Sequence, residues 1–344
     1  MTKGYEQNEK TKLIKIQFLI TFENSILYEN QKMVAVIVPS YKVRDSILAV
    51  LSKIGPEVGK IYVVDDACPQ GTGNFVKENC ADDRVEVLFN HKNLGVGGAV
   101  IIGYQKALTD GCSIMVKLDG DGQMEPSLIP RFIDPIQIKE ADYVKGNRFY
   151  DLDYLRTMPG IRRFGNSMVS FINKLASGYW NVMDPANGYT AISSKALKHL
   201  PLEKIDQRFF FESDMLFRLN TIRAVVQDLP MYSEYGTEKS NLRISRVLIQ
   251  FPFKYMKRLT KRIFYNYFLR DFNIGSLELV MTFIFLMFGV IFGGIHWIIS
   301  LKTLHPATAG TVLLAGLPII LGFQSFLAFL HYDLANIPQK VINA

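Results

Sequence analysis

The sequence predicts an α/β domain on a mostly parallel sheet, followed by an amphipathic basic region and a two-helix transmembrane hairpin. Three observations carry this reading. Short apolar, β-branched runs alternate with helical segments from Met33 onward. Nine basic residues and no Asp or Glu lie between Lys239 and Arg270. Two long uncharged apolar runs then follow.

Residues 1–12 are polar, and the short run LIKIQFLI is interrupted by Lys15, which argues against a secretory signal. MVAVIVPSY is a short apolar run broken by proline near its end, the pattern of a buried parallel strand. Residues 43–54 read as a helix, and KIYVVDD as a second strand ending on two carboxylates. A helix over 72–80 and a strand at VEVLFN come next. The segment from Gly95 to Asp110 opens with glycines and continues as an amphipathic helix. CSIMVKLDGDGQ is a fourth strand ending on carboxylates, and YVKGNR a fifth. Strands alternating with helices imply a parallel sheet with ligands at the strands' carboxyl ends.

In the basic region, Leu248, Phe251, Tyr255, Leu259 and Ile263 recur at helical spacing, with Lys254, Lys257, Arg258 and Lys261 mostly on other faces. Beside a membrane span this reads as an interfacial helix on anionic lipid, with Pro252 starting or kinking it. Leu279–Ser300 and Thr303–Tyr332 contain no Asp, Glu, Lys or Arg, and each exceeds the roughly 20 residues that span hydrocarbon as a helix. The short link from Lys302 to Ala309 makes them a hairpin, and the basic cluster places both its ends in the cytoplasm.

Composition narrows the class. The chain has 344 residues and a formal net charge of +7; without the nine clustered basic residues the balance is −2. Basicity is therefore local, which points to a membrane surface and away from nucleic acid. Three cysteines exclude a disulfide framework, none sits in a Cys-x-x-Cys pair, which argues against a cysteine zinc site, and the usage fits a reducing compartment. The five histidines show no ligand spacing.

The strongest chemical signal is Asp119-Gly120-Asp121-Gly122-Gln123. Carboxylates at i and i+2 after a strand point the same way, and the glycines let the backbone turn closely around a ligand. Hard oxygen donors of this kind suit Mg²⁺ or Mn²⁺ completed by phosphate oxygens.

The ordered segments VPSY (38–41), VVDDACPQGT (63–72), NLGVGGAVIIGYQKAL (93–108), KLDGDGQMEP (117–126), VKGNRF (144–149), DPANGYTA (184–191), FFFESD (209–214) and EKSNLR (238–243) resemble family 2 inverting glycosyltransferases of the GT-A fold. More narrowly, they resemble the dolichyl-phosphate mannose synthase and polyprenyl-phosphate glucosyltransferase branch. The resemblance implies transfer of one sugar from a UDP- or GDP-linked donor to a polyprenyl phosphate, with inversion. It implies donor contacts from Pro39, Tyr41, Asp65, Asp66, Gly97 and Asp119, and a divalent cation, Mg²⁺ or Mn²⁺, on Asp119, Asp121 and Gln123. It implies acceptor-phosphate contacts from Arg148, from either Arg162 or Arg163, and from Lys239 and Arg243, guanidinium being a planar fork suited to phosphate. Asp121, Arg148 and Asp214 form the implied catalytic set, with Asp214 in a positioning role. One departure stands out: Lys42 and Val43 follow Tyr41 where many members carry Asn-Glu.

The expected division is an N-terminal extension (1–32), a GT-A catalytic domain (33–240), basic amphipathic juxtamembrane helices (241–276), transmembrane helices (277–301 and 309–332) and a cytoplasmic tail (333–344). This implies an integral membrane protein with a cytoplasmic catalytic domain, in the plasma or inner membrane of a bacterium or the endoplasmic reticulum of a eukaryote. Homo-oligomers are compatible with the sequence. A processive polysaccharide synthase is the competing enzymatic reading; neither Trp180 nor Trp297 follows an arginine as its Gln-x-x-Arg-Trp motif requires. A catalytically silent scaffold is disfavoured by the intact Asp119, Asp121 and Arg148.

Overall fold

Strand burial separates the core into two layers. A computed structural model describes residues 33–150, 155–156, 158, 160–231 and 244–342. In β1 (Val34–Ser40), Val34, Val36 and Val38 face one apolar cluster while Ala35 and Ile37 face another. β2 (Lys60–Asp65) repeats the pattern, Ile61 and Val63 against Tyr62 and Val64. The side-chain period of two therefore feeds both faces of the sheet, which is why these strands read as continuous apolar runs.

The sheet has seven strands in the order β3-β2-β1-β4-β6-β5-β7. Added to the first two are β3 (Val85–Phe89), β4 (Ile114–Lys117), β5 (Tyr143–Asn147), β6 (Thr190–Ser193) and β7 (Val226–Pro230). All neighbours run parallel except β6, which is antiparallel to both β4 and β5. Its reversal brings the loop before it, 184–189, to the edge where the parallel strands end.

The helices are α1 (Ile47–Ser52), α2 (Thr72–Asn79), α3 (Val96–Thr109), α4 (Ile129–Gln137), α5 (Gly160–Ser177), α6 (Ser194–Lys198), α7 (Phe211–Thr221), α8 (Ile244–Phe264), α9 (Ile274–Thr303) and α10 (Ala309–Ala335). Helix α1 is shorter than the 43–54 expected, while α9 and α10 extend slightly beyond the expected spans. Helix α8 runs through Pro252 and passes into a π-turn at Tyr265–Leu269.

Helices α9 and α10 have mean hydropathies of 2.2 and 2.1, and only 17% and 11% of their most apolar windows are buried. Soluble core helices of that hydropathy would be covered. At 30 and 27 residues, each exceeds the length that about 30 Å of hydrocarbon requires. Gly289 and Gly322 are buried where the two helices pack on each other, facing Ile319 and Leu286 respectively, and Phe329 is buried against the Tyr267 ring.

The membrane-proximal region is held to the catalytic domain at both ends. The apolar stripe of α8 does not simply face lipid: Phe251, Tyr255 and Leu259 pack with Phe210, Ala176 and Ile172 of the catalytic domain. Its basic residues are divided as well. Lys254, Arg258 and Arg262, spaced at i, i+4 and i+8 on one face, pair with Asp206, Asp214 and Asp333 respectively. Lys257 and Lys261 remain exposed. The segment after α10 is held as well. Ile337 and Ile342 pack against the catalytic core, the Ile342 amide donates to Asp142 at 3.1 Å, and Arg223 donates to the Asn336 carbonyl at 2.9 Å.

Candidate active site

Most of the sequence-predicted residues gather at one edge of the sheet. Ser40 pairs in register with Asp65 at the ends of β1 and β2. The Asp119-x-Asp121 turn leaves β4, Arg148 follows β5, and the 184–189 loop enters β6 between them.

Asp65 and Asp66 are buried, and their oxygens are spent on the chain itself. Asp65 accepts from the amides of Cys68 (2.7 Å) and Gly73 (2.6 Å), the latter in the first turn of α2. Asp66 accepts from the amides of Leu94 (2.8 Å) and Gly95 (2.7 Å) and from Asn90 Nδ2 (2.8 Å). These are the capping contacts of strand-end carboxylates, and they fix the chain that follows β2 and β3. Gly95 has φ +92°, a left-handed-side conformation that favours glycine. Gly97 is likewise a packing residue: a Cβ there would lie 2.6 Å from the Asp206 carbonyl oxygen and 2.7 Å from Phe211. Pro39 is half-buried, and Tyr41 is exposed beneath the Lys42 ammonium, 5.4 Å from its ring centroid.

Asp119 and Asp121 are both partly exposed. The Asp121 carboxylate accepts from the Gln123 amide at 3.0 Å, which together with Gly122 at φ +81° folds the turn back on itself. Asp119 Oδ1 pairs with Lys117 Nζ at 2.7 Å.

Lys117 opens a network that pattern reading did not foresee. Its ammonium is fully buried, donates to the Gly188 carbonyl at 3.1 Å, and lies 3.4 Å from Glu212. Burial works to lower its pKa, but the charges of Asp119 and Glu212 outweigh that and hold it above the usual lysine range. Lys145 lies across β6: Lys117 and Lys145 are both in register with Thr190. Lys145 is also fully buried and donates to the Asn187 carbonyl. Here burial wins over the attraction of Glu212 and Asp184, and the pKa falls to about 8.

Arg148 forms a bidentate pair with Asp184, Nε at 2.6 Å and Nη2 at 3.0 Å, and Asp184 is itself fully buried. Lysines inside strands otherwise covered on both faces, IMVK and YVKGN, were the available signal for this network.

Asp214 sits elsewhere. Its carboxylate is completely buried, accepts from the Asp206 amide at 2.8 Å, and pairs with Arg218 (3.2 Å) and Arg258 (2.5 Å). A carboxylate clamped between two guanidiniums fastens α8 to α7, so any positioning it does acts through those helices. Arg163 is exposed on α5. Lys239, Arg243, the side chain of Arg162 and the extension 1–32 lie outside the described residues.

Residues 35–200 match the profile of glycosyl transferase family 2. The UDP-N-acetylglucosamine–dolichyl-phosphate N-acetylglucosaminyltransferase of Methanococcus voltae is 30% identical over 244 residues, covering 67% of this chain and 96% of that protein. The undecaprenyl-phosphate mannosyltransferase of Micrococcus luteus is 29% identical over 202 residues, 58% of this chain and 82% of that one. Among solved structures, the UDP complex of glucosyl-3-phosphoglycerate synthase from Mycobacterium tuberculosis has a TM-score of 0.50 at 16% identity, over 67% of this chain and 80% of that one. That likeness is one of fold, the GT-A type.

Proposed function

The chain belongs to glycosyl transferase family 2 and is a glycosyltransferase; from that premise we propose that it transfers one sugar from a nucleotide sugar to a polyprenyl phosphate at a membrane surface. The observation that carries the reading is a single sheet edge presenting the Asp119–Asp121 turn beside the Arg148–Asp184 pair, in a chain that ends in an apolar hairpin. Relatives named for polyprenyl-phosphate transfer support the acceptor class. A UDP-linked donor is the preferred form, in line with the Methanococcus relative's name, and a GDP-linked one is the alternative.

Oxygen of the lipid phosphate attacks the anomeric carbon in line. The new C–O bond forms as the bond to the diphosphate breaks, the nucleoside diphosphate departs, and the configuration inverts. A phosphate acceptor is already anionic near neutral pH, so no strong base is needed. This agrees with the buried, doubly paired Asp214. Arg148 receives the acceptor phosphate while Asp184 fixes the plane of its guanidinium. Asp66 and Asp65 hold the loops around the nucleotide through the amides they cap.

The donor set fits a divalent cation. Among the described residues no cluster of three His, Cys, Asp or Glu offers a complete protein cage. Two partly exposed carboxylates and an amide oxygen suit Mg²⁺ or Mn²⁺, whose remaining sites are commonly filled by water and phosphate oxygens. Asp121 would hold it, with Asp119 and Gln123. Bound there, it would neutralise charge developing on the leaving diphosphate.

The catalytic unit is taken as 33–240, with 241–276 at the membrane interface and the hairpin behind it. Exposed Ile161, Phe164, Met168 and Phe171 form one stripe of α5, and Phe253, Met256 and Phe264 are exposed on α8. Both helices pack on each other, and such surfaces suit the headgroup region on the cytoplasmic leaflet. Keeping the site there raises the effective concentration of lipid acceptor. The test is a screen of UDP- and GDP-sugars with a short polyprenyl phosphate in detergent, with product read by mass. A singly glycosylated lipid phosphate is expected; a polymeric product, or none with any donor, would overturn the reading.

A further inference from the structure

We propose that Lys145 is a positioning residue for acceptor binding, its buried ammonium holding the 184–188 loop so that Asp184 presents Arg148 to the lipid phosphate. The inference rests on the acceptor reading above.

Lys145 sits on β5, three residues before Arg148, with no solvent contact. Its ammonium donates to the carbonyl of Asn187, the residue whose own amide donates to the Asp184 carbonyl at 3.3 Å. The Asn187 side chain also accepts from the Tyr189 amide at 2.9 Å, so one residue links the loop to the start of β6. A charged donor beneath that carbonyl therefore sets the height of the whole loop. The same loop supplies the bidentate carboxylate of Arg148 and, through Gly188, a carbonyl for Lys117.

The charged groups around Lys145 come from every neighbouring element. Glu212 on α7, Asp184 in the loop and Asp228 on β7 attract its cation, and Lys117 on β4 repels it. They form an alternating series: Asp119, Lys117, Glu212, Lys145, Asp184, Arg148. Removing the cation at Lys145 leaves Glu212 and Asp184 facing each other without the charge between them. Burial has already brought its pKa to about 8, so that cation is lost at mildly alkaline pH.

The folded state holds this proton less tightly than the unfolded chain, whose lysine titrates near 10.4. Between the two values the unfolded chain binds the extra proton, so this group makes folding more favourable as pH rises. A loss of transfer in that window thus has the opposite sign from an unfolding effect.

The test uses full-length protein in detergent, as wild type, Lys145→Arg and Lys145→Met. In the wild type, kcat/KM for a short polyprenyl phosphate should fall about tenfold per pH unit above the lysine's pKa of about 8. Lys145→Arg keeps its charge and should lose that limb. Lys145→Met should be low at every pH, by about tenfold or more, without the limb. Nucleotide affinity without lipid should be alike in all three. Independently of activity, amide exchange over 184–189 should quicken in Lys145→Met and stay near wild type in Lys145→Arg. A wild-type limb retained in Lys145→Met, or unchanged exchange, would overturn the proposal. If the wild type transfers no sugar to lipid phosphate, the function reading fails, and the exchange comparison alone decides the role of Lys145.

Discussion

Replacing Asp333 should loosen the grip between the membrane hairpin and the catalytic domain. This carboxylate lies in the last turn of α10, 3% exposed. It accepts from Arg262 Nη1 at 2.6 Å and Nη2 at 3.1 Å, from Tyr267 Oη at 2.5 Å and from Trp180 Nε1 at 2.9 Å. Three parts of the chain thus meet on one side chain: α8, the π-turn and the segment after α5. The Arg262 side chain is only 2% exposed. Asp333→Ala would leave its guanidinium charged, buried and without that partner. Breaking a buried pair from one side costs about 3–5 kcal/mol. At about 1.4 kcal/mol per tenfold, local opening becomes roughly a hundred- to a few-thousandfold more frequent. Amide hydrogen exchange read over 176–182 and 258–267 in detergent measures that opening. A double variant, Arg262→Met with Asp333→Leu, removes both charges and should recover a large part of the loss. In vesicles, transfer to a bilayer-embedded acceptor should fall further in Asp333→Ala than transfer to a short acceptor in detergent. Unchanged exchange in Asp333→Ala, or a double variant no better than the single one, would refute the latch.

Asp121→Asn should fold normally, since the residue sits in a partly exposed turn, yet lose on the order of a hundredfold or more in turnover; transfer indifferent to this change or to excess chelator would count against a metal on this turn. Arg148→Ala should weaken acceptor use by roughly ten- to a hundredfold, the scale of a lost charge-assisted contact, with calorimetric donor binding near wild type. Loss of donor binding instead would put this arginine on the diphosphate side. For topology, a single cysteine at the exposed Thr308 should be labelled from outside and one at the exposed Gln339 should not, in a background lacking the three native cysteines. The reverse would mean the basic cluster does not orient the hairpin.

How much was legible in the sequence follows from how far each signal reaches along the chain. β1, β2 and β4 were readable because burial on both faces demands unbroken apolar residues, which is a local property. Helices α9 and α10 were readable for the same reason, a long unbroken apolar run being a local property too. The turn at Asp119–Asp121 stood out because strand, glycines and carboxylates are contiguous.

What the tertiary structure alone decided is which distant residues share a charge. β6 has only four residues, TAIS, and its place between β4 and β5 depends on partners far away in sequence. The basic stretch of α8 looked like a lipid-binding surface. Three of its cations instead meet Asp206, Asp214 and Asp333, because the fold brings those carboxylates to one face of the helix. Asp214 and Glu212 are two residues apart on α7, yet one is locked between arginines and the other borders the buried lysines Lys117 and Lys145. Hydrophobic periodicity records whether a position is buried. It cannot record the identity of a buried charge's partner, because that is fixed by where the chain returns and not by its neighbours in sequence.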